Sequence, residues 1–296
     1  QAESWIESSP AVADGLVYFG SNDGYFYAVD AFTGEERWRF YTKFPVKSSA
    51  AIADGKVYFG TDNYSVYSLD ALTGDKVWEF ATGSHVGSSP VIADGILYIG
   101  SMDGSLYALQ ASNGRFRLRM RYREVASSPA VYDGVVYYNS RSRLFAVDAT
   151  ARNWPGERNL RGWWLQFYAF RIAPQPPPIS GLLWSLPLGW AASTTSPVVV
   201  DGIVYTTAGS VVYAVDTEEI KPIWSSRTEG AIRSSPVFGN GIVYVGSGDG
   251  RLYALNAEDG IAEWSFLTGD SIASSPLLSD GVVYVGSNDG VVYAIK

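Results

Sequence analysis

Short runs in which apolar and polar residues alternate with period two fill the chain, and turn residues bound each run. Runs such as Leu97–Gly100 and Leu106–Leu109 are rich in aliphatic and aromatic side chains, as half-buried strands require. Asp94-Gly95 and Asp103-Gly104 stand between such runs, where tight hairpins need positive φ. No long helical spacing is present, so strands are expected throughout.

The runs belong to a repeat. Ser-Ser-Pro, Asp-Gly, Val-Tyr-x-Gly-Ser-x-Asp-Gly, Leu-Tyr-Ala-Leu-Asp, Thr-Gly and Trp recur in that order. The Pro position falls at Pro10, Ala50, Pro90, Pro129, Pro197, Pro236 and Pro276, at intervals of 40, 40, 39, 68, 39 and 40 residues. A unit of four short strands cannot bury both its faces alone, and radial stacking of seven units does so. The expected fold is all-β: a seven-bladed β-propeller of four-stranded antiparallel blades, one domain over residues 1–296. The Ser pairs, such as Ser8-Ser9 and Ser88-Ser89, belong to the innermost strands, where crowding at the axis calls for small side chains.

The ends modify this plan. Blade seven stops after its third strand, Val291–Ile295, and Trp5 lies too close to Pro10 to start an outer strand. The last blade is therefore expected to be three-stranded, giving 27 strands in all, with an open edge suited to a partner strand. The sequence begins at Gln1 without a signal-peptide pattern, as expected of a processed chain or a piece of a longer one.

Trp38, Trp78, Trp184, Trp224 and Trp264 occupy the outer strands, after the Tyr-Ala-Val/Leu-Asp phrase. With that phrase they resemble the tryptophan-docking repeats of the quinoprotein (PQQ-like) β-propeller family, over nearly the whole chain outside 151–181. The resemblance implies that each outer Trp braces its blade against the next, and that the chain is extracytoplasmic. Leu118 stands at the Trp position of blade three, and Glu219-Ile220 replaces Thr-Gly in blade five. The family contains dehydrogenases that hold a quinone over Ca²⁺ beside an Asp base, and also non-catalytic binding scaffolds.

Composition favours the scaffold. Cysteine is absent and His85 is the single histidine, which excludes thiolate sites, multi-His metal sites and disulfides. The Asp residues recur at equivalent turns (Asp23, Asp103, Asp249 and Asp289; Asp14, Asp54, Asp94, Asp133, Asp201 and Asp280), which is turn chemistry and not a unique catalytic site. Neither a catalytic residue nor a cofactor or metal is assigned. Asn63-Tyr64-Ser65 is a glycosylation triplet at a turn, and His85 reads as a solvated loop residue. No apolar run reaches the ~20 residues of a transmembrane segment.

Charge identifies a contact side. The chain carries −8 overall, yet residues 115–171 hold 11 Arg, no Lys and 4 acids. Two features there break the repeat. Arg115, Arg117, Arg119, Arg121 and Arg123 alternate with apolar residues along the outer strand of blade three, which would place five guanidinium groups on one face and invite an anionic neighbour. The second feature is the insertion 151–181, between the third and fourth strands of blade four. It carries Arg161, Trp163, Trp164, Phe167, Tyr168, Phe170 and Arg171 ahead of a Pro-rich stretch. Aromatic and Arg enrichment is typical of interface hot spots, and self-packing on the ring is the other use of such a segment. The expected function is a non-catalytic scaffold that binds protein partners, or an anionic surface, through blades three and four. Its expected place is periplasmic, cell-surface, secreted or membrane-associated. Nucleic acid is not expected, since stacking platforms are missing and the net charge is negative. The alternatives are a quinone- or metal-binding dehydrogenase relative and a carbohydrate binder using Trp163, Trp164 or Trp190.

Overall fold

The computed structural model describes residues 2–122, 127–176 and 179–296, and only the backbone at 158 and 159. Among the described residues 27 strands form six sheets of four antiparallel strands and a seventh of three. The seven sheets are the blades of a propeller, and the first strands of successive blades are neighbours around its axis.

Blade two shows how the sequence makes a blade. Ala51–Ala53, Lys56–Gly60, Ser65–Asp70 and Lys76–Ala81 pair in chain order as a meander. Asp54 and Gly55 both have positive φ (50° and 68°), the turn whose twist matches a two-residue hairpin. The same pair recurs in every blade, with Asn240-Gly241 in blade six.

The inner Ser pairs do more than save space. Ser88 Oγ donates to the Gly100 carbonyl at 2.9 Å and accepts the Gly100 N–H at 2.8 Å, which pins the inner strand to the second strand. Ser8, Ser234 and Ser274 make the same two bonds. The second Ser of each pair joins blades. The Ser9 N–H donates to Ser49 Oγ, Ser49 to Ser89, Ser89 to Ser128, Ser128 to Ser196, Ser196 to Ser235 and Ser235 to Ser275, at 2.8–3.1 Å.

Further out, the tryptophans dock each blade on the next. Trp38, Trp78 and Trp224 donate their indole N–H groups to the carbonyls of Ala71, Ala111 and Ala257 in the following blade. Their rings cover Gly74, Gly114 and Gly260, where a Cβ would come within 2.8 Å of the indole. Between blades lie apolar clusters, each spanning two consecutive blades. At the first junction Phe26 and Phe59 are both fully buried and stack at 3.9 Å. Burying each such side chain contributes about 1.5–3 kcal/mol.

Two expectations need correction. The insertion contains an α-helix, Glu157–Ala169, where strands alone were expected. Its apolar residues Leu160, Trp163, Trp164, Phe167 and Tyr168 recur at i, i+3, i+4, i+7 and i+8, a single helical stripe set among runs that otherwise alternate with period two. The arginine strand also departs from simple alternation. A bulge sets Leu118 opposite Ala108 and Phe116 opposite Leu109, leaving Arg117 without a cross-strand partner. Every four-stranded blade carries this bulge at the same place.

Candidate functional site

The insertion leaves blade four after its third strand, Arg143–Asp148, and returns at its fourth, Leu182–Pro187. Its root lies along the outer edge of blade three. The Asn153 N–H donates to the Arg117 carbonyl at 3.2 Å, and Asn153 Oδ1 accepts the Arg119 N–H at 2.6 Å. Thus the insertion covers an edge that would otherwise be unpaired.

Glu157 fixes the start of the helix. Its carboxylate accepts the Asn153 amide at 2.7 Å and the Ser180 N–H at 2.9 Å, so it ties the two ends of the insertion together. Burial alone would raise its pKa. The Ser180 N–H and the Asn153 amide outweigh burial and hold it below the ordinary value.

A cleft of about 910 Å³ opens between this helix and the outer parts of blades two and three. Phe80, Tyr107 and Phe116 line one wall, and Trp154 and Leu165 line the other. Arg119, Arg121 and Arg161 reach it from both sides. The buried Trp154 Nε1 finds no acceptor among the described residues. The site therefore combines aromatic surface, guanidinium charge and a spare donor, a combination suited to an apolar segment bearing carboxylates.

The structure divides the twelve residues singled out in the sequence. Arg119 is held inside its own blade. It pairs with Asp103 at 2.9 Å, with only 14% and 7% of the two side chains exposed, and lies over the Tyr107 ring at 5.2 Å. Tyr107 donates its hydroxyl to the same carboxylate, and burial, followed by that bond, pushes its pKa up to about 12. Arg117 donates to the carbonyls of Thr150 and Ala151, close to where a docking Trp would make its bond. Arg115 precedes the strand and is exposed, as is Arg121 at its end. Arg123 lies outside the described residues. Trp163, Phe167, Tyr168 and Phe170 are exposed on the helix and its end rather than in the cleft. Trp164 is half-buried and donates to the Pro174 carbonyl. Arg171 follows the helix with φ 59° and is exposed.

Phe80, Tyr107, Phe116, Trp154 and Leu165 were missed as site residues. The repeat phase held the signal for two of them. Phe80 and Tyr107 meet at 5.6 Å, just as Phe40 meets Tyr67 and Phe266 meets Tyr293.

One of the two sets of repeated Asp residues is engaged through its carboxylates. Asp23, Asp249 and Asp289 accept the hydroxyls of Tyr27, Tyr253 and Tyr293 and backbone N–H groups from neighbouring turns. Burial opposes these bonds, yet all three carboxyls end below their ordinary value. Asn63 fills the equivalent turn in blade two, bonding the Tyr67 hydroxyl. His85 is about half exposed, 3.5 Å from Asp62. Among the described residues no three His, Cys, Asp or Glu side chains gather as a metal site. Among the described residues no helix is long and apolar enough to cross a membrane.

Comparison with solved structures supports the propeller. BamB from Moraxella catarrhalis aligns over 99% of this chain and 84% of its own, with 22% identity and a TM-score of 0.79. The computationally designed Ika8 protein aligns over 97% and 82%, at 17% identity and a TM-score of 0.78. A europium-containing methanol dehydrogenase aligns over 97% and 72%, at 12% identity and a TM-score of 0.71. At such identities these likenesses concern the fold alone. No curated protein matches the chain. A family model described as outer membrane protein assembly factor BamB matches residues 2–89, 80–158 and 178–296. With the docking tryptophans seated and this match along almost its entire length, the chain belongs to the PQQ-like propeller family of that assembly factor.

Proposed function

We propose that the protein is a non-catalytic scaffold that binds a segment of another protein in an extracytoplasmic, membrane-associated assembly. The carrying observation is the cleft between the insertion helix and blades two and three, with an exposed aromatic helix at its rim. Trp163 is 64% and Phe170 75% exposed, and apolar surface of this kind beside arginine favours protein contact over solvent. The engagement of Asp23, Asp249 and Asp289 in turns supports a binding role over a dehydrogenase-like one. Family membership supports an assembly role, since the family model carries the name of an assembly factor.

The test is crosslinking and pull-down from the native source. It compares the unaltered chain with Arg121→Glu and with the double variant Trp163→Ala/Phe167→Ala. Point variants are preferred to deletion of 151–181, because deletion would expose the edge of blade three that Asn153 covers. Loss of the same defined partner in both variants supports the reading. Unchanged capture in both would move the contact elsewhere on the ring.

A further inference from the structure

The helix Glu157–Ala169 has two working faces. Arg161 and Leu165 line the cleft. Leu160, Trp163, Trp164, Phe167 and Tyr168, at i, i+3, i+4, i+7 and i+8, form an apolar stripe on the neighbouring face. The ring does not bury this stripe. Every residue from 162 to 172 is exposed except Trp164, which is half-buried and gives its indole N–H to the Pro174 carbonyl of the insertion itself. A Cβ added at Gly162 would meet open space. Beyond the helix the apolar surface continues in Phe170 and Ile172, 75% and 72% exposed, with the exposed Arg171 between them. The helix thus projects from the propeller with large apolar side chains in water, an arrangement that marks a contact surface.

Charge selects what covers it. Residues 151–181 hold four Arg and a single acid, Glu157, whereas the whole chain carries −8. Glu157 is 4% exposed, and its carboxylate is taken up by the Asn153 amide and the Ser180 N–H. The projection therefore presents cations and aromatic rings to solvent, and no carboxylate. Two such helices from two copies of the chain would bring like charges together. At a lipid–water interface the same features are favourable: Trp, Tyr and Phe settle at headgroup depth, and guanidinium groups meet lipid phosphates. An acidic ring is repelled by an anionic surface, so only the cationic projection approaches it, within a screening length of about 8 Å.

We infer that the outward stripe of the helix Glu157–Ala169, with Phe170, Arg171 and Ile172 at its end, seats on an anionic lipid bilayer. This rests on the membrane-associated part of the proposed function and leaves the cleft to the protein segment.

The test floats the purified full chain with phosphatidylcholine vesicles containing about one-third phosphatidylglycerol, and with pure phosphatidylcholine vesicles. The chain should bind the first at least about tenfold more tightly than the second, and raising salt to about 0.5 M should remove most of that difference. Phe170→Ser/Ile172→Ser should weaken binding at least about tenfold by removing apolar depth. Arg171→Asn, which suits the positive φ at this position, should weaken it about fivefold. All three positions are exposed, so the urea midpoint should not move. Leu165→Ala, on the cleft side, should bind vesicles like the unaltered chain, so lost partner capture in that variant reports on the cleft and not on lipid. The chain has no cysteine, so a nitroxide on Ile172→Cys reads depth, with the 92% exposed Phe32 of the ring, as Phe32→Cys, for reference. On anionic vesicles the label at 172 should gain contact with oxygen and lose contact with a water-soluble nickel chelate, and the label at 32 should not. The proposal is overturned by no binding at low salt, by equal binding to both vesicles, by unchanged binding of Phe170→Ser/Ile172→Ser, or by a label at 172 that stays in water on the bound chain. It is equally overturned if that label becomes shielded without vesicles as protein concentration rises, since a second copy then covers the stripe.

Discussion

Trp78 of blade two donates its indole N–H to the carbonyl of Ala111 in blade three at 2.8 Å, across 33 residues of sequence. Its ring lies against Gly114, whose φ of 69° suits glycine and whose missing Cβ makes the room. Hydrogen bond and close approach thus act as one lock between blades. Trp78→Phe should cost about 1 kcal/mol by leaving the Ala111 carbonyl unpaired. Gly114→Ala should cost at least about 1–2 kcal/mol, because it adds left-handed strain to a contact with the indole. Urea unfolding checks both. Equal stability of Gly114→Ala and the unaltered chain would show that the ring does not press on this turn.

The serine pins give a second expectation. Ser88 Oγ is buried and satisfies both the N–H and the carbonyl of Gly100. Ser88→Ala should cost about 1–3 kcal/mol, since it strands two buried backbone groups. Ser274→Ala removes the same two bonds at an exposed position of blade seven, where water replaces them, so its cost should be clearly smaller. Paired denaturation curves decide whether burial or bonding sets the cost.

The repeat was legible because the propeller reads its own geometry into the sequence: Asp-Gly turns need positive φ, and outer tryptophans need a glycine to cover. The three-stranded last blade was legible from the same phase. The role of the Ser pairs was half legible, since small size is a property of the residue while the bond from Ser89 to Ser128 depends on the neighbouring blade. Two things were hidden. The bulge beside Arg117 breaks alternation through strand pairing, which no local pattern reports. The helix Glu157–Ala169 was hidden only by its setting: Leu160, Trp163, Trp164, Phe167 and Tyr168 have the i, i+3, i+4, i+7, i+8 spacing of a helical stripe, but it lasts two turns inside a chain whose other runs alternate with period two.

The arginines of blade three should separate by role. Arg119 and Asp103 form a nearly buried pair, so Arg119→Met should cost about 3 kcal/mol by leaving the carboxylate unpaired. Asp103→Asn combined with Arg119→Met should recover part of that loss. Arg121 is exposed, so Arg121→Met should change stability by less than about 0.5 kcal/mol while weakening partner capture. A double-mutant cycle with a parallel binding assay checks this. Equal destabilisation by both single variants would contradict the division.

Acid should loosen the insertion through Glu157. Its carboxyl lies below the ordinary value of 4.5, because the Ser180 N–H and the Asn153 amide outweigh the burial that would raise it. A carboxyl lowered in this way stabilises the fold above its unfolded pKa and loses that contribution as pH falls through its folded one. The tie between the two ends of the insertion should therefore be intact at neutral pH and weaken progressively below about 4.5. Hydrogen exchange over residues 157–169, corrected for intrinsic rates, reads the tie directly, with Leu97–Ile99 as an internal reference. Other lowered carboxyls, such as Asp23 and Asp249, also titrate in this range, so the informative quantity is the difference from Glu157→Gln. That variant keeps one acceptor oxygen without the charge. It should be less protected than the unaltered chain at neutral pH, and the two should converge in acid. Parallel profiles for the two chains across the whole range would mean that Glu157 does not hold the helix against the ring.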